Sequence, residues 1–256
     1  MSRRAQYRSQ VARADYERCP DSRHRSGQDA RAPTTRSQLP SRERAGCPRT
    51  DYAPTDADTL WHVPDLRWNP RRYIPHLAEP GSIQVVTFRT ADSVPRSVID
   101  QWKVELRTAP EATRKASLER HLETYLDAGH GDCILQVPAV AAIVAGAIVQ
   151  FDGERYDLLA WCVMPNHVHA VVRIRSGHPL DRIVHSWKSF SATQANRSLG
   201  RTGTLWMADY HDRTIRDEQH LANALRYVND NPVRAGLCKS AEDWPWSSAS
   251  VQTGTG

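Results

Sequence analysis

Apolar residues are spread unevenly along the chain. From Met1 to Thr59 the only members of the Leu, Ile, Val, Phe and Trp set are Val11 and Leu39, whereas beyond residue 80 they recur with clear periods. Ile83 to Thr90 (IQVVTFRT) is β-branched and aromatic and predicts a strand. Pro95 to Leu106 sets Val98, Ile99, Trp102 and Leu106 at helical spacing. A second helix is predicted over Pro110 to Asp127, with Leu118, Leu122, Tyr125 and Leu126 on one side, and a third from Pro138 to the turn at Asp152-Gly153. Tyr156 to Val163 and His167 to Ile174 read as a hairpin joined through Met164-Pro165-Asn166. Leu180 to Leu199 is helical, with Leu180, Ile183, Trp187 and Phe190 as its stripe. Asp217 caps a last helix expected to run to about Asn231, where Pro232 stops it. Strands and helices that interleave around a central hairpin predict an α+β fold, a central antiparallel sheet with helices packed on it, and not a doubly wound parallel sheet.

Composition divides the chain of 256 residues into three parts. Residues 1–60 are rich in Arg, Ser, Asp and Pro and cannot bury enough apolar surface to offset their ordering entropy, so a disordered basic tail is expected there. It reads either as a solvated leader or as a non-specific nucleic-acid arm. Residues 61–80 form a proline-punctuated, extended lead-in, and residues 81–256 hold the folded domain and a short C-terminal tail. The formal charge of +5 follows the same division: residues 1–50 carry 12 Arg against 5 acidic residues, and the remainder is close to neutral. Within that remainder Arg173 to Arg234 holds 10 basic and 6 acidic residues, which predicts one cationic surface.

The longest apolar run, Val137 to Val149, is shorter than the roughly 20 residues a membrane span needs, and no apolar segment follows the Arg-rich start. Five cysteines without a Cys-x-x-Cys pair suggest neither a disulfide framework nor a thiolate zinc site. A reducing cytoplasm is the expected setting. GxGxxG, GxxxxGK[ST] and GxSxG are all absent, so nucleotide-dependent and α/β-hydrolase chemistry have no support.

Alternation along His167-Val168-His169 turns both imidazoles to one face of the strand. Such a pair is either two ordinary half-exposed histidines or a grip on one divalent metal that needs a third ligand. On the last helix, Leu221, Ala224, Leu225 and Val228 form the expected buried stripe, while Tyr227 and Asn231 stand one turn apart on its flank. They either cover the core edge and cap the helix, or set a phenol beside an amide ligand. Tyr210 is the competing phenol, without an i+4 partner of that kind. Arg173, Arg175, Lys188, Arg213, Arg216 and Arg234 are candidate phosphate contacts in the cationic stretch. Trp187 is expected in the core, and Trp244-Pro245-Trp246 as a packed C-terminal clasp.

Four stretches together resemble the REP-associated tyrosine transposases, single-tyrosine HUH enzymes related to the IS200-like transposases of insertion sequences. They are WCVMPNHVHAVV at 161–172, HSWKSFSATQANR at 185–197, LWMADYHDRTIRDEQHLANALRYVNDNPVRAGL at 205–237 and EDWPWSSA at 242–249. The likeness covers about residues 70–250, with FRTADSVP at 88–95 matching the first strand, and leaves the tail uncovered. His211 and Cys238 depart from the family's usual aromatic residue and Val.

The resemblance implies a ferredoxin-like HUH fold, His167 and His169 as metal ligands, Asn231 completing the metal site, and Tyr227 as nucleophile. It implies magnesium or manganese as cofactor and single-stranded DNA beside a palindromic, REP-like hairpin as partner, with the protein a monomer or homodimer. The implied reaction nicks and transfers DNA through a 5′-phosphotyrosine link. A domesticated hairpin-binding protein that does not cut, and a metal-dependent phosphoesterase that uses water, are the alternatives.

Overall fold

Three stretches rich in β-branched and aromatic residues, Ile83–Arg89 (β1), Tyr156–Val163 (β2) and His167–Ile174 (β3), join a short fourth strand, His211–Thr214 (β4), in one sheet of order β2-β3-β1-β4. In the computed structural model, which describes residues 79–252, every neighbouring pair is antiparallel. The basic tail expected at 1–60 and nearly all of the lead-in lie outside the described residues. The helices are Arg96–Glu105 (α1), Glu111–Asp127 (α2), Pro138–Val149 (α3), Leu180–Ser198 (α4), Glu218–Arg234 (α5) and Ser248–Gln252 (α6). Since β3 lies between β1 and β2, and β1 between β3 and β4, the chain traces two interleaved split β-α-β units, the ferredoxin-like arrangement.

The two faces of the sheet have different coverings. Val86, Phe88, Val168, Ala170 and Val172 point into the larger core beneath α3 and α4, while Val85, Cys162 and Val171 meet Ala224 and Val228 of α5 on the other side. A bulge between Leu158 and Ala160 inverts the alternation of β2, which lets Leu158 and Trp161 serve the first core and Ala160 and Cys162 the second. Helix α3 (PAVAAIVAGAIV) is apolar all round, as a helix in the middle of a core must be. Trp187 is buried as expected, its indole N–H donating to the Tyr156 hydroxyl at 2.9 Å.

Three expectations need correction. Phe190 is 53% exposed; with 3.6 residues per turn the stripe passes from Trp187 to Ser191, whose hydroxyl donates to the Trp187 carbonyl and accepts from the Trp206 indole. Helix α5 does not stop at Pro232 but runs through it to Arg234. The proline falls in the last turn, so its missing N–H costs one bond, and Ala235 and Leu237 N–H groups close the end onto the Asn231 and Pro232 carbonyls. Leu221 and Leu225 are half-buried beside the more deeply set Ala224 and Val228.

Strand β4 (HDRT) carries no apolar alternation and was not expected. It forms because β1 offers it an open edge, reinforced by hydrogen bonds between the Gln84 and Thr214 side chains. The C-terminal clasp is present: the Trp244 indole donates to the Val163 carbonyl at 3.0 Å, and the Val163 N–H to the Trp246 carbonyl at 2.8 Å. Among the described residues no helix is long and apolar enough to cross a membrane.

Candidate active site

Alternation places His167 and His169 on the α5 side of β3, opposite Arg89 and Thr87 of β1 in register. They are 1% and 2% exposed, so they are not a half-exposed surface pair. Their Nε2 atoms face each other at 3.0 Å, while Nδ1 of His167 meets Asn166 Oδ1 at 2.7 Å and Nδ1 of His169 meets Thr87 Oγ1 at 2.8 Å. Burial, with His169 beside it, holds His167 well below the usual histidine range; burial, Arg234 and His211 push His169 down to about 3. Both rings are therefore neutral at pH 7, the form in which imidazole binds a metal.

Helix α5 starts where Asp217 Oδ1 accepts from the His220 N–H at 2.7 Å, and Tyr227 stands nearly three turns further along it, over β3. The Tyr227 ring lies edge-to-face with His169 at 5.5 Å between centroids, and the Arg234 guanidinium sits 4.8 Å from the Tyr227 ring centre. Arg213 of β4 is near enough to feel a charge on the Tyr227 oxygen, should the phenol ionise. One turn beyond Tyr227, Asn231 is fully buried, and neither atom of its amide has a hydrogen-bond partner. Leaving a polar group so costs about 1–3 kcal/mol unless a ligand satisfies it. Two neutral imidazoles and an orphaned amide oxygen suit a divalent cation. No three of His, Cys, Asp and Glu gather into a metal cluster among the described residues.

Helix α2 brings carboxylates that the sequence did not single out. Asp127 Oδ1 lies 3.7 Å from His167 Nε2, and Glu119 meets His211 Nε2 and Arg213 Nη2, each at 3.2 Å. Between them Glu123 is pushed up to about 7, by burial first and then by the neighbouring Asp127. The spacing 119, 123, 127 is a helical stripe of acids, a signal readable in the sequence but indistinguishable there from a solvated face. In the sequence Asn166 and Thr87 likewise read only as a turn former and a strand residue.

The six candidate basic residues do not converge. Arg213 and Arg234 flank Tyr227, whereas Arg175 pairs with Asp157 at 2.6 Å near the opposite end of the hairpin, and Lys188 donates to the Ala208 carbonyl from α4. Arg173 and Arg216 are exposed. Tyr210 is half-buried against the core under α3 and α4, on the face of the sheet away from the histidines.

The profile described as "Transposase IS200 like" matches residues 146–231, a segment running from the end of α3 to Asn231. A REP-associated tyrosine transposase of Escherichia coli is 26% identical over 103 residues, 40% of this chain and 60% of that protein. A putative REP-associated tyrosine transposase of Haemophilus influenzae is 28% identical over 103 residues, 36% of this chain and 58% of that one. This chain is similar to the REP-associated tyrosine transposases and matches the IS200-like transposase profile over residues 146–231. The matched region spans about three fifths of these REP-associated tyrosine transposases. A solved structure of the REP-associated tyrosine transposase bound to a REP hairpin is 17% identical, with a TM-score of 0.44 over 74% of this chain and 87% of that one.

Proposed function

We propose that the chain nicks and rejoins single-stranded DNA beside palindromic hairpins, with Tyr227 as nucleophile. The observation that carries this reading is the Tyr227 ring set against a buried, neutral histidine pair, with two guanidinium groups beside it. In the reaction the phenolate oxygen attacks phosphorus, the bond from phosphorus to the 3′ oxygen breaks, and that oxygen takes up a proton to leave as a 3′-hydroxyl. The 5′ side stays on the enzyme as a phosphotyrosine ester, which keeps the bond energy for rejoining.

Arg213 and Arg234 stabilise the phenolate and, once it has reacted, the phosphate charge. Magnesium or manganese would be held by His167, His169 and Asn231, and when bound it would withdraw charge from the scissile phosphate. The DNA partner, the cytoplasmic setting expected from the sequence and an association with the nucleoid belong to this same reading, as does the treatment of residues 1–60 as an appendage to the domain.

The test is a labelled single-stranded hairpin oligonucleotide incubated with the full chain and magnesium or manganese. A covalent adduct that survives SDS is expected from the wild type and from Tyr210→Phe, and none from Tyr227→Phe. Phenylalanine keeps the ring packed against His169 but removes the attacking atom, so hairpin affinity should change little. Cleavage that persists in Tyr227→Phe without an adduct would transfer the reaction to water. Binding without any cleavage would make the protein a hairpin binder.

A further inference from the structure

The loop that follows α2 is held unusually tightly. Gly131 has φ +90°, and a Cβ there would lie 3.0 Å from the Asp92 carbonyl oxygen. The Asp132 N–H donates to Asp92 Oδ2 at 2.8 Å, and Cys133, itself in the left-handed region at φ 46°, donates from Sγ to the Gly129 carbonyl. The Leu135 N–H donates to the Pro165 carbonyl. The loop is thereby fastened to the turn after β1 and to the hairpin turn between β2 and β3.

What the loop delivers is the His130 carbonyl, which accepts from Asn166 Nδ2 at 2.8 Å. That bond fixes the amide, because the flipped orientation would set two oxygens against each other. Asn166 Oδ1 is left facing His167 Nδ1 at 2.7 Å. An amide oxygen only accepts, so Nδ1 must carry the proton of the neutral ring, and the lone pair is then on Nε2.

We propose that Asn166, held by the His130 carbonyl, is a positioning residue that fixes His167 in its Nδ1–H tautomer and so presents the Nε2 lone pair for a divalent cation. This rests on the reading of His167 as a metal ligand. The partner ring behaves differently. With a lone pair on His167 Nε2, the 3.0 Å contact requires His169 Nε2 to donate, and His169 Nδ1 then accepts from the Thr87 hydroxyl. To offer both Nε2 lone pairs, His169 must instead carry its proton on Nδ1 and donate to Thr87 Oγ1. A hydroxyl serves either arrangement by rotating its hydrogen, so Thr87 accommodates the exchange with no movement of heavy atoms. His167 is preset and His169 adjusts.

The experiment is a long-range proton–nitrogen NMR spectrum of the full chain labelled with 15N-histidine, recorded without and with magnesium. His167 is expected to show a protonated Nδ1 in both states, and His169 to move its proton from Nε2 to Nδ1 when magnesium is added. Asn166→Ala should yield a mixture of His167 tautomers and weaken manganese binding, read by electron paramagnetic resonance, by roughly 10- to 100-fold. Gly131→Ala, which forces the loop away from Asp92 without touching the histidines, should weaken manganese binding in the same direction.

A wild-type spectrum with the His167 proton on Nε2 would overturn the proposal, and it can be read even if Asn166→Ala does not fold. Unchanged tautomers and manganese affinity in a folded Asn166→Ala would overturn it as well. The expected spectra in a chain that forms no covalent adduct would leave the positioning role standing while removing the nucleophile, so the two failures are separable.

Discussion

Asn231 shows in one residue the conflict between folding and chemistry. Its amide is buried without a partner, a burden that an apolar side chain of similar size would not impose. Asn231→Leu should therefore raise the unfolding free energy of the metal-free protein by about 1–2 kcal/mol in a denaturant titration, while manganese affinity falls. A loss of stability would mean that the amide is satisfied in solution. Glu123 adds a pH dependence. Its folded pKa of about 7 lies above the ordinary carboxyl value, so between pH 4.5 and 7 the folded state binds more protons and this group's contribution to stability declines as pH rises. Glu123→Gln should remove that decline and leave the protein more stable at pH 8 by roughly 1–3 kcal/mol, measured by thermal unfolding across pH. The histidines act in the opposite sense: held neutral in the fold, they cost stability as pH falls below about 6.5.

Among the elements, those with a period were legible and those without were not. The strands Ile83–Arg89, Tyr156–Val163 and His167–Ile174 follow from alternation and β-branching, and the shared face of the two histidines follows from the same rule. Strand β4 could not be read from HDRT, because its pairing depends on an edge supplied by residues about 130 positions away. The helical expectation at Pro232 failed for a related reason: a breaker in the final turn has almost nothing left to break. The acidic stripe of α2 was visible as letters, yet only the folded chain shows that it faces Arg213, His211 and His167. Where α5 begins is set by Asp217, and Asp217→Ala should cost about 1 kcal/mol in thermal or denaturant unfolding. Tyr227 lies nearly three turns further on, so adduct formation should survive; a loss of adduct comparable to that of Tyr227→Phe would mean that the cap sets the nucleophile's position.

For the whole molecule, the composition of residues 1–60 offers almost nothing apolar to a core. A chain beginning near Trp61 should thus fold and still form the adduct, with weaker DNA binding at low salt as its main loss, since Arg residues outside the site contribute only phosphate attraction that salt screens. An inactive truncation would assign residues 1–60 a part in the reaction. The C-terminal clasp bears on how the sheet can meet another protein. β2 is an edge strand, and an edge strand with open N–H and carbonyl groups is a template on which a second chain can extend the sheet. At its Trp161 to Val163 end that template is already taken by the chain's own Ser248 side chain and Trp246 carbonyl, with a bridge from Cys162 to Ser247 between them. The tryptophans act there as a stopper: a neighbouring molecule could prolong the sheet past Trp161 only after prising off the end of this one.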